Sequence, residues 1–254
     1  MPSTNLSKTS PTTNSAGSIT ITKLSSTKRR DAVNLYIEGQ YIAAITVDTV
    51  LAFNLSKSKT ITNHQLNELI IYSTNQKLLQ QAVNYISIRI RSQFEINLYL
   101  KQIIYKLSQS SKISELANHI IQSNSQNLIN QTIKKLEENN YIDDYQFARQ
   151  WVESRLRSKP RGAQLLKLEL KNKGIASEII QQVLQETLTE NNDLNNQMID
   201  QVIQKALKSL RYKNLAPEKL KQILIQRIIS KGFSYKNAKN KIDESLVNEY
   251  NDNH

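Results

Sequence analysis

Two short segments of this 254-residue chain echo one another. Leu170-Lys171-Asn172-Lys173-Gly174-Ile175 returns, 58 positions on, as Ile228-Ile229-Ser230-Lys231-Gly232-Phe233. Each follows a Lys-rich helical stretch and precedes another helical stretch. A Gly directly after a helix supplies the left-handed residue that ends it, and the apolar residue behind it can pack back on the helix just finished. Two such corners in register predict a tandem repeat of small helical bundles. Arrays of this kind build extended binding surfaces more often than enclosed catalytic pockets.

Only 5 Gly and 4 Pro occur, which favours helices over sandwiches and barrels. Helical periodicity groups the apolar residues into nine segments: 76–91, 94–107 and 126–138; 144–158, 162–172 and 177–188; 197–211, 217–230 and 235–248. The fold class predicted is mainly α, three tandem three-helix repeats in an elongated array. Ahead of them, residues 18–47 alternate or carry β-branched runs, with Glu38-Gly39 as a two-residue turn, so a small antiparallel β hairpin unit is predicted there. Asp48 is placed to cap a short helix through Phe53. The domain boundaries follow: a tail at 1–17, expected to be disordered; a β/α extension at 18–75; repeat 1 at 76–140, with a polar insertion at 108–125; repeat 2 at 141–190; repeat 3 at 197–250. Thr62 with Gln65, Ser92 with Glu95 and Asp143 with Gln146 have capping-box spacing. Phe147 and Trp151 fall on the core face of the helix that Asp143 opens, and Pro160 ends that helix.

The formal charge is +12, which raises the prior for a polyanionic partner. The cations are clustered. Between 155 and 173 stand seven Lys or Arg against Glu169 alone, and between 205 and 241 eleven against Glu218 alone. Lys167 and Lys171 share a helix face. The residues assigned to a binding track are Arg155, Arg157, Lys159, Arg161, Lys167, Lys171, Lys173, Lys208, Arg211, Arg227 and Lys231. The bland alternative for any one of them is a solvated helix face.

Other chemistries find little support. With no Cys, thiolate catalysis, disulfides and Cys-based zinc sites are excluded. No apolar run reaches the ~18 residues a bilayer span needs, and residues 1–17 lack the apolar core of a secretory signal; a cytoplasmic setting is expected. Asp143, Asp144 and Glu153 suggest a nuclease metal site, but Asp143 opens a helix, where an acid caps orphan amides. His64, His119 and His254 sit near no triad pattern. No cofactor, metal or catalytic constellation is predicted. The second helix of the 162–188 pair carries no Lys or Arg, which argues against a groove-reading helix-turn-helix.

One set of residues resembles a known family. Tyr141-Ile142-Asp143-Asp144, Phe147-Ala148, Trp151-Val152, Arg155, Gly162, Glu169-Leu170 and Lys173-Gly174-Ile175 are similar to the central signature of the bacterial regulatory protein RecX family. Arg89-Ile90-Arg91-Ser92, Phe94-Glu95 and Leu100 resemble its first repeat, Lys231-Gly232-Phe233 the corner of its last, and the hairpin at 32–47 the extension of its longer members. The first repeat departs from the pattern: no Lys-Gly corner follows Leu100, and the insertion stands there instead. Ala176 stands where Ser234 caps the matching helix, leaving Ser177 to cap one residue later. The resemblance implies three three-helix repeats and a monomeric regulator, not an enzyme. It implies binding to the RecA recombinase and the RecA–DNA filament, to single-stranded DNA and to duplex DNA. The effect would be to modulate, mostly inhibit, ATP hydrolysis, strand exchange and filament growth in recombination and repair. The residues by themselves also leave open a sequence-independent nucleic-acid-binding protein with no RecA role.

Overall fold

The computed structural model describes residues 17–28, 31–158, 161–189, 192–208 and 216–251. Residues 1–16 of the predicted 1–17 tail lie outside them. The N-terminal hairpin is part of a larger element: β1 (Ser18–Ser26), β2 (Ala32–Ile37), β3 (Gln40–Thr46) and β4 (Thr60–Thr62) form one antiparallel sheet in the order β3-β2-β1-β4. The turn between β2 and β3 is Glu38-Gly39, both with positive φ (49° and 81°), the twist that a two-residue hairpin loop favours. A bulge between Ile21 and Lys23 lets β1 pair with β2 along one half and β4 along the other. The short helix α1 (Val47–Ala52) is capped by Thr46, whose hydroxyl accepts from the Thr49 amide, and not by Asp48, which sits in the first turn.

Contacts within the chain define two units. The first is residues 1–89 with 96–141. In it, α2 (Asn63–Ile88) opens at the Thr62–Gln65 capping box and runs through residue 75, so the predicted boundary there falls inside a helix. Leu66, Leu69, Ile70, Leu78 and Ala82 make its buried face. The helices α3 (Gln93–Ser108), α4 (Glu115–Ser123) and α5 (Ser125–Glu138) complete this unit, apart from the first turn of α3. The predicted polar insertion thus holds a helix of its own, capped by Ser114 and burying Ala117, Ile120 and Ile121. A buried polar link ties α2 to α5: Thr132 Oγ1 donates to Asn75 Oδ1 (2.8 Å), and Asn75 Nδ2 donates to Gln131 Oε1 (2.7 Å).

The second unit is residues 90–95 with 142–254. Two three-helix cores fill it. Phe147, Ala148, Val152, Leu166, Leu170, Ile175, Ile180 and Val183 come from α6 (Asp144–Ser158), α7 (Ala163–Asn172), α8 (Ser177–Leu184) and the corner before α8. Met198, Ile199, Val202, Ile203, Ala206, Leu224, Ile228, Phe233, Ala238 and Ile242 come from α9 (Asn192–Leu207), α10 (Pro217–Ser230), α11 (Tyr235–Asn251) and the corner before α11. Asp143 caps α6 by accepting from the Gln146 amide (2.9 Å). Ser234 caps α11 likewise (3.2 Å from the Asn237 amide), whereas Ala176 precedes α8 without a side-chain cap and Ser177 is already helical.

Gly174 (φ 76°) and Gly232 (φ 88°) end α7 and α10 in the left-handed region. Each is also a docking point. The Gly162 amide donates to Lys231 O (2.8 Å) and the Gln164 amide to Gly232 O (3.2 Å). A Cβ on Gly162 would come within 2.2 Å of that Gly232 oxygen. At the other corner, Ser92 Oγ donates to Lys173 O (2.8 Å), and a Cβ on Gly174 would meet Phe94 Cβ at 2.3 Å. Thus the start of one helix seats on the corner of another, twice.

Gly162 has φ of −73°, which any residue adopts, so Gly162→Ala is a test of space alone. We expect it to destabilise the second unit by about 1–3 kcal/mol, the usual cost of overpacking, seen as a lower unfolding midpoint. Gly39→Ala, in open space but at positive φ, should cost about 1 kcal/mol. A Gly162→Ala midpoint equal to wild type would mean that the two backbones do not touch.

Candidate nucleic-acid interface

The predicted basic track sorts into cations that hold the fold and cations that face solvent. Glu169, on α7, is the organiser. Trp151 Nε1 donates to its Oε2 at 2.9 Å, and Arg155 Nε to the same oxygen at 2.8 Å. Arg161 Nε lies 3.0 Å from Oε1, though poorly aligned for a hydrogen bond. The Arg155 guanidinium stacks over the Trp151 ring (4.5 Å), with Lys173 Nζ 5.0 Å from the same ring. Lys173 also pairs with Glu95 (2.7 Å). Burial works to raise the Glu169 carboxyl, but the Trp151 and Arg155 hydrogen bonds and the charges of Arg155 and Arg161 outweigh it, leaving the pKa below the ordinary value. Phe147 is buried, and Trp151, half-buried, packs against the same core while its outer face carries the cations.

Arg157, Lys167, Lys171, Lys208, Arg227 and Lys231 are exposed. Lys159 and Arg211 lie outside the described residues. Other cations of the 205–241 cluster are neutralised within the third bundle: Lys221 pairs with Asp243, and Lys241 with Asp200 and Glu244. Their side-chain pKa values are raised, first by those hydrogen bonds to Asp243 and Glu244.

Three of the predicted residues converge. Arg161, Arg227 and Lys231, joined by Lys205, line a cleft of about 390 Å³ with Ser158, Gln201 and Val202. Charge counting did not single out Lys205. It faces Arg227 only because α9 and α10 pack side by side, which sequence spacing does not reveal. Lys167, Lys171 and Arg157 are not among the walls of this cleft.

The carboxylates considered for a metal are occupied otherwise. Asp143 caps its helix, and Asp144 accepts from the Gln93 amide (2.8 Å). Burial is the main cause of the raised Asp144 pKa, opposed by that hydrogen bond and reinforced by Asp143. Among the described residues no group of three or more His, Cys, Asp or Glu is placed to hold a metal. Nor is any described helix long and apolar enough to cross a membrane.

Comparison with known proteins adds the following. Residues 143–184, which contain α6–α8, match the family model of the RecX second three-helix domain. The chain is 26% identical over 213 residues to the regulatory protein RecX of Listeria innocua serovar 6a, covering 84% of this chain and 70% of that one. It is 29% identical over 234 residues to the regulatory protein RecX of Streptococcus sanguinis, covering 92% and 80%. A crystal structure of regulatory protein RecX superposes with a TM-score of 0.65 at 21% identity, over 89% of this chain and 99% of that one. RecX from Lactobacillus salivarius gives 0.54 at 22% identity, over 68% and 97%.

The Glu169 cluster has a signed pH dependence. A depressed folded-state pKa stabilises the fold above the unfolded carboxylate value, near 4.5, and that contribution fades as pH falls through the folded-state value. In urea unfolding between pH 7 and pH 3, Glu169→Gln should remove part of the acid-induced loss while lowering stability at pH 7. An equal acid loss in wild type and variant would show that Glu169 carries none of it.

Proposed function

We propose, from its likeness to the RecX regulatory proteins, that the chain is a member of that family and a regulatory protein that binds RecA and its filaments on single-stranded DNA. It restrains ATP hydrolysis, strand exchange and filament growth in recombination and repair, in the cytoplasm, as a monomer, without a cofactor and without enzymatic activity of its own. The exposed cations of the second unit carry the reading: Arg157 on α6, Lys167 and Lys171 on α7, Lys208 after α9, Arg227 and Lys231 at the end of α10. They meet strand phosphates or acidic patches of RecA. Many separate ion contacts hold a polyanion in a salt-dependent, sequence-independent way. A helical array seated across neighbouring protomers opposes the movements that ATP turnover requires.

Arg155, Arg161 and Lys173 serve this surface differently. Committed to Glu169, Trp151 and Glu95, they set the positions of α6 and α7. Arg155→Ala is therefore a stability variant first and a binding variant second.

The alternative is a general nucleic-acid-binding protein with no RecA role, favoured by the same cations. Capture of RecA by the immobilised chain in the absence of DNA separates the two.

Two outcomes are expected. Titrating this protein into RecA with single-stranded DNA should lower the DNA-dependent ATPase rate; an unaltered rate and filament lifetime would remove the proposal. The triple variant Arg157→Gln, Lys167→Gln, Lys171→Gln should keep the wild-type circular dichroism spectrum. Its strand binding should have a salt slope shallower by about 2, at ~0.7 per lost phosphate contact; an identical slope would place those three residues off the interface.

A further inference from the structure

We propose that the outer face of the N-terminal sheet is a stacking platform for unpaired bases of a single nucleic-acid strand. This gives the sheet a part in the regulatory reading above, and rests on that reading for the choice of polymer. Side chains alternate between the two faces along each strand. Leu35, Ile37 and Ile45 are buried on the core face. The other face carries Lys23, Tyr36 and Tyr41 as one row across β1, β2 and β3, because Lys23 is in register with Tyr36 and Tyr36 with Tyr41.

Both ends of that row depend on a bulge. Strict alternation would put Lys23 on the face of Ile21, and Tyr41 on the face of Ala43, both of which are buried. The register shifts by one residue between Ile21 and Lys23 on β1, and again between Tyr41 and Ala43 on β3. Thr22 and Ile42 are the extra residues, and they turn Lys23 and Tyr41 outward. Re-aiming a side chain is a recurrent use of a bulge beside a functional site.

The row combines rings with positive charge. The Tyr36 and Tyr41 rings meet edge to face with centroids 5.5 Å apart, and Lys23 Nζ lies 5.4 Å from the Tyr36 centroid. Both rings are half-buried and Lys23 is exposed. At the β3 edge Tyr41 Oη donates to Lys112 O (2.9 Å), which places a second exposed Lys beside the row. Neither Lys23 nor Lys112 is in an ion pair among the described residues. Of the acids that flank β2, Asp31 stands at its far end, and Glu38 accepts from the Thr20 amide (2.7 Å).

A polar group lies next to the rings. Asn34 is two residues before Tyr36 on the same face, between the small side chains of Ser25 and Ala44. Asn is disfavoured inside strands, and this carboxamide has no hydrogen-bond partner among the described residues. An amide offers a donor and an acceptor together, the pair that a base edge presents. A duplex hides the faces of its bases, so a ring platform selects a single strand. Lys23 covers part of the Tyr36 ring, but an exposed cation–π contact is weaker than base–aromatic stacking. A base can therefore displace the ammonium, which then meets the adjoining phosphate.

The test uses the full chain. An oligodeoxythymidine carrying an iododeoxyuridine is bound and irradiated, and the crosslinked residue is mapped by mass spectrometry. Tyr36 or Tyr41 is expected; crosslinks confined to other residues overturn the proposal. A fluescently labelled strand is then titrated across a salt series. Tyr36→Val should bind about tenfold more weakly with an unchanged salt slope, because a stack is lost and no phosphate contact. Tyr36→Phe, which keeps the ring, should stay within about twofold of wild type. Lys23→Gln should instead make the slope shallower by ~0.7, one contact. Wild-type affinity in Tyr36→Val, or equal losses in Tyr36→Val and Tyr36→Phe, overturns the proposal. Should Tyr36→Val lose the wild-type circular dichroism spectrum, the crosslink and the Lys23→Gln slope decide. Loss of RecA capture by Tyr36→Val at wild-type strand affinity makes the face a protein-docking surface and also overturns it. If Tyr36→Val binds the strand and restrains the RecA ATPase like wild type, the platform falls and the regulatory reading stands. If wild type leaves the ATPase untouched, that reading falls, and the crosslink still decides whether the sheet takes a strand.

Discussion

Much of the second unit depends on two backbones touching. Where Gly162 meets Gly232, no side chain separates the start of α7 from the end of α10, and two amide-to-carbonyl hydrogen bonds cross the contact. A three-helix bundle of some fifty residues buries too little apolar surface to be secure by itself. Seating one bundle on the glycine corner of the next adds buried contact without lengthening a helix. The contact is directional as well: hydrogen bonds fix a relative position that apolar packing alone would leave free to slide. The Gly174 corner uses the same device with different chemistry, since a Ser hydroxyl replaces the Gly amide as donor and the Phe94 ring fills the space in front of the glycine.

That device explains which parts of the fold were legible in the chain. The two Lys-Gly corners are local signals, because positive φ selects for glycine whatever the surroundings. The Glu38-Gly39 turn and the Thr62 and Asp143 caps are legible for the same reason: each is settled within four residues. Gly162 is a different case. Its φ is ordinary, so nothing in its neighbourhood demands glycine; the demand comes from Gly232, seventy positions away. The length of α2 was hidden for a related reason. Its buried residues from Leu66 to Ala82 face more than one neighbour, so no single stripe marks where it begins, although the capping box at its start was visible. The helix inside the polar insertion rests on local signals as well, the Ser114 cap and the Ala117, Ile120 and Ile121 spacing.

The candidate site was less legible, and the cause is electrostatic. A run of cations in sequence says how much charge is present but not where its partners are. Glu169 is a single acid among seven Lys and Arg, and it binds two of them together with Trp151. Counting therefore overstated what the 155–173 segment presents to solvent and did not set Lys205 apart within its cluster, since its companions stand on other elements. Trp151 packs on the core as its spacing says, but the cations over its outer face were not visible in the sequence for the same reason. A large ring on an apolar stripe reads as core, but stacked cations and an acceptor for the indole N–H allow it to stay part-exposed.

Structural and exposed cations are coupled through this arrangement. An exposed Lys or Arg on a mobile segment loses rotamer and backbone freedom when it grips a phosphate, a cost that cancels much of the Coulomb gain in water. Cations on helices whose backbones are pinned by glycine corners and by Glu169 have already lost the backbone share. Arg161 joins both roles: it shares the carboxylate that organises α6 and α7, and it forms one wall of the cleft. A polyanion that engaged Arg161 would compete with Glu169 for that guanidinium. Such a contact would weaken the Glu169 cluster's hold on Arg161 while leaving Trp151 and Arg155 attached, so the charge seen by a polyanion and the internal bracing of α6 and α7 are not independent quantities.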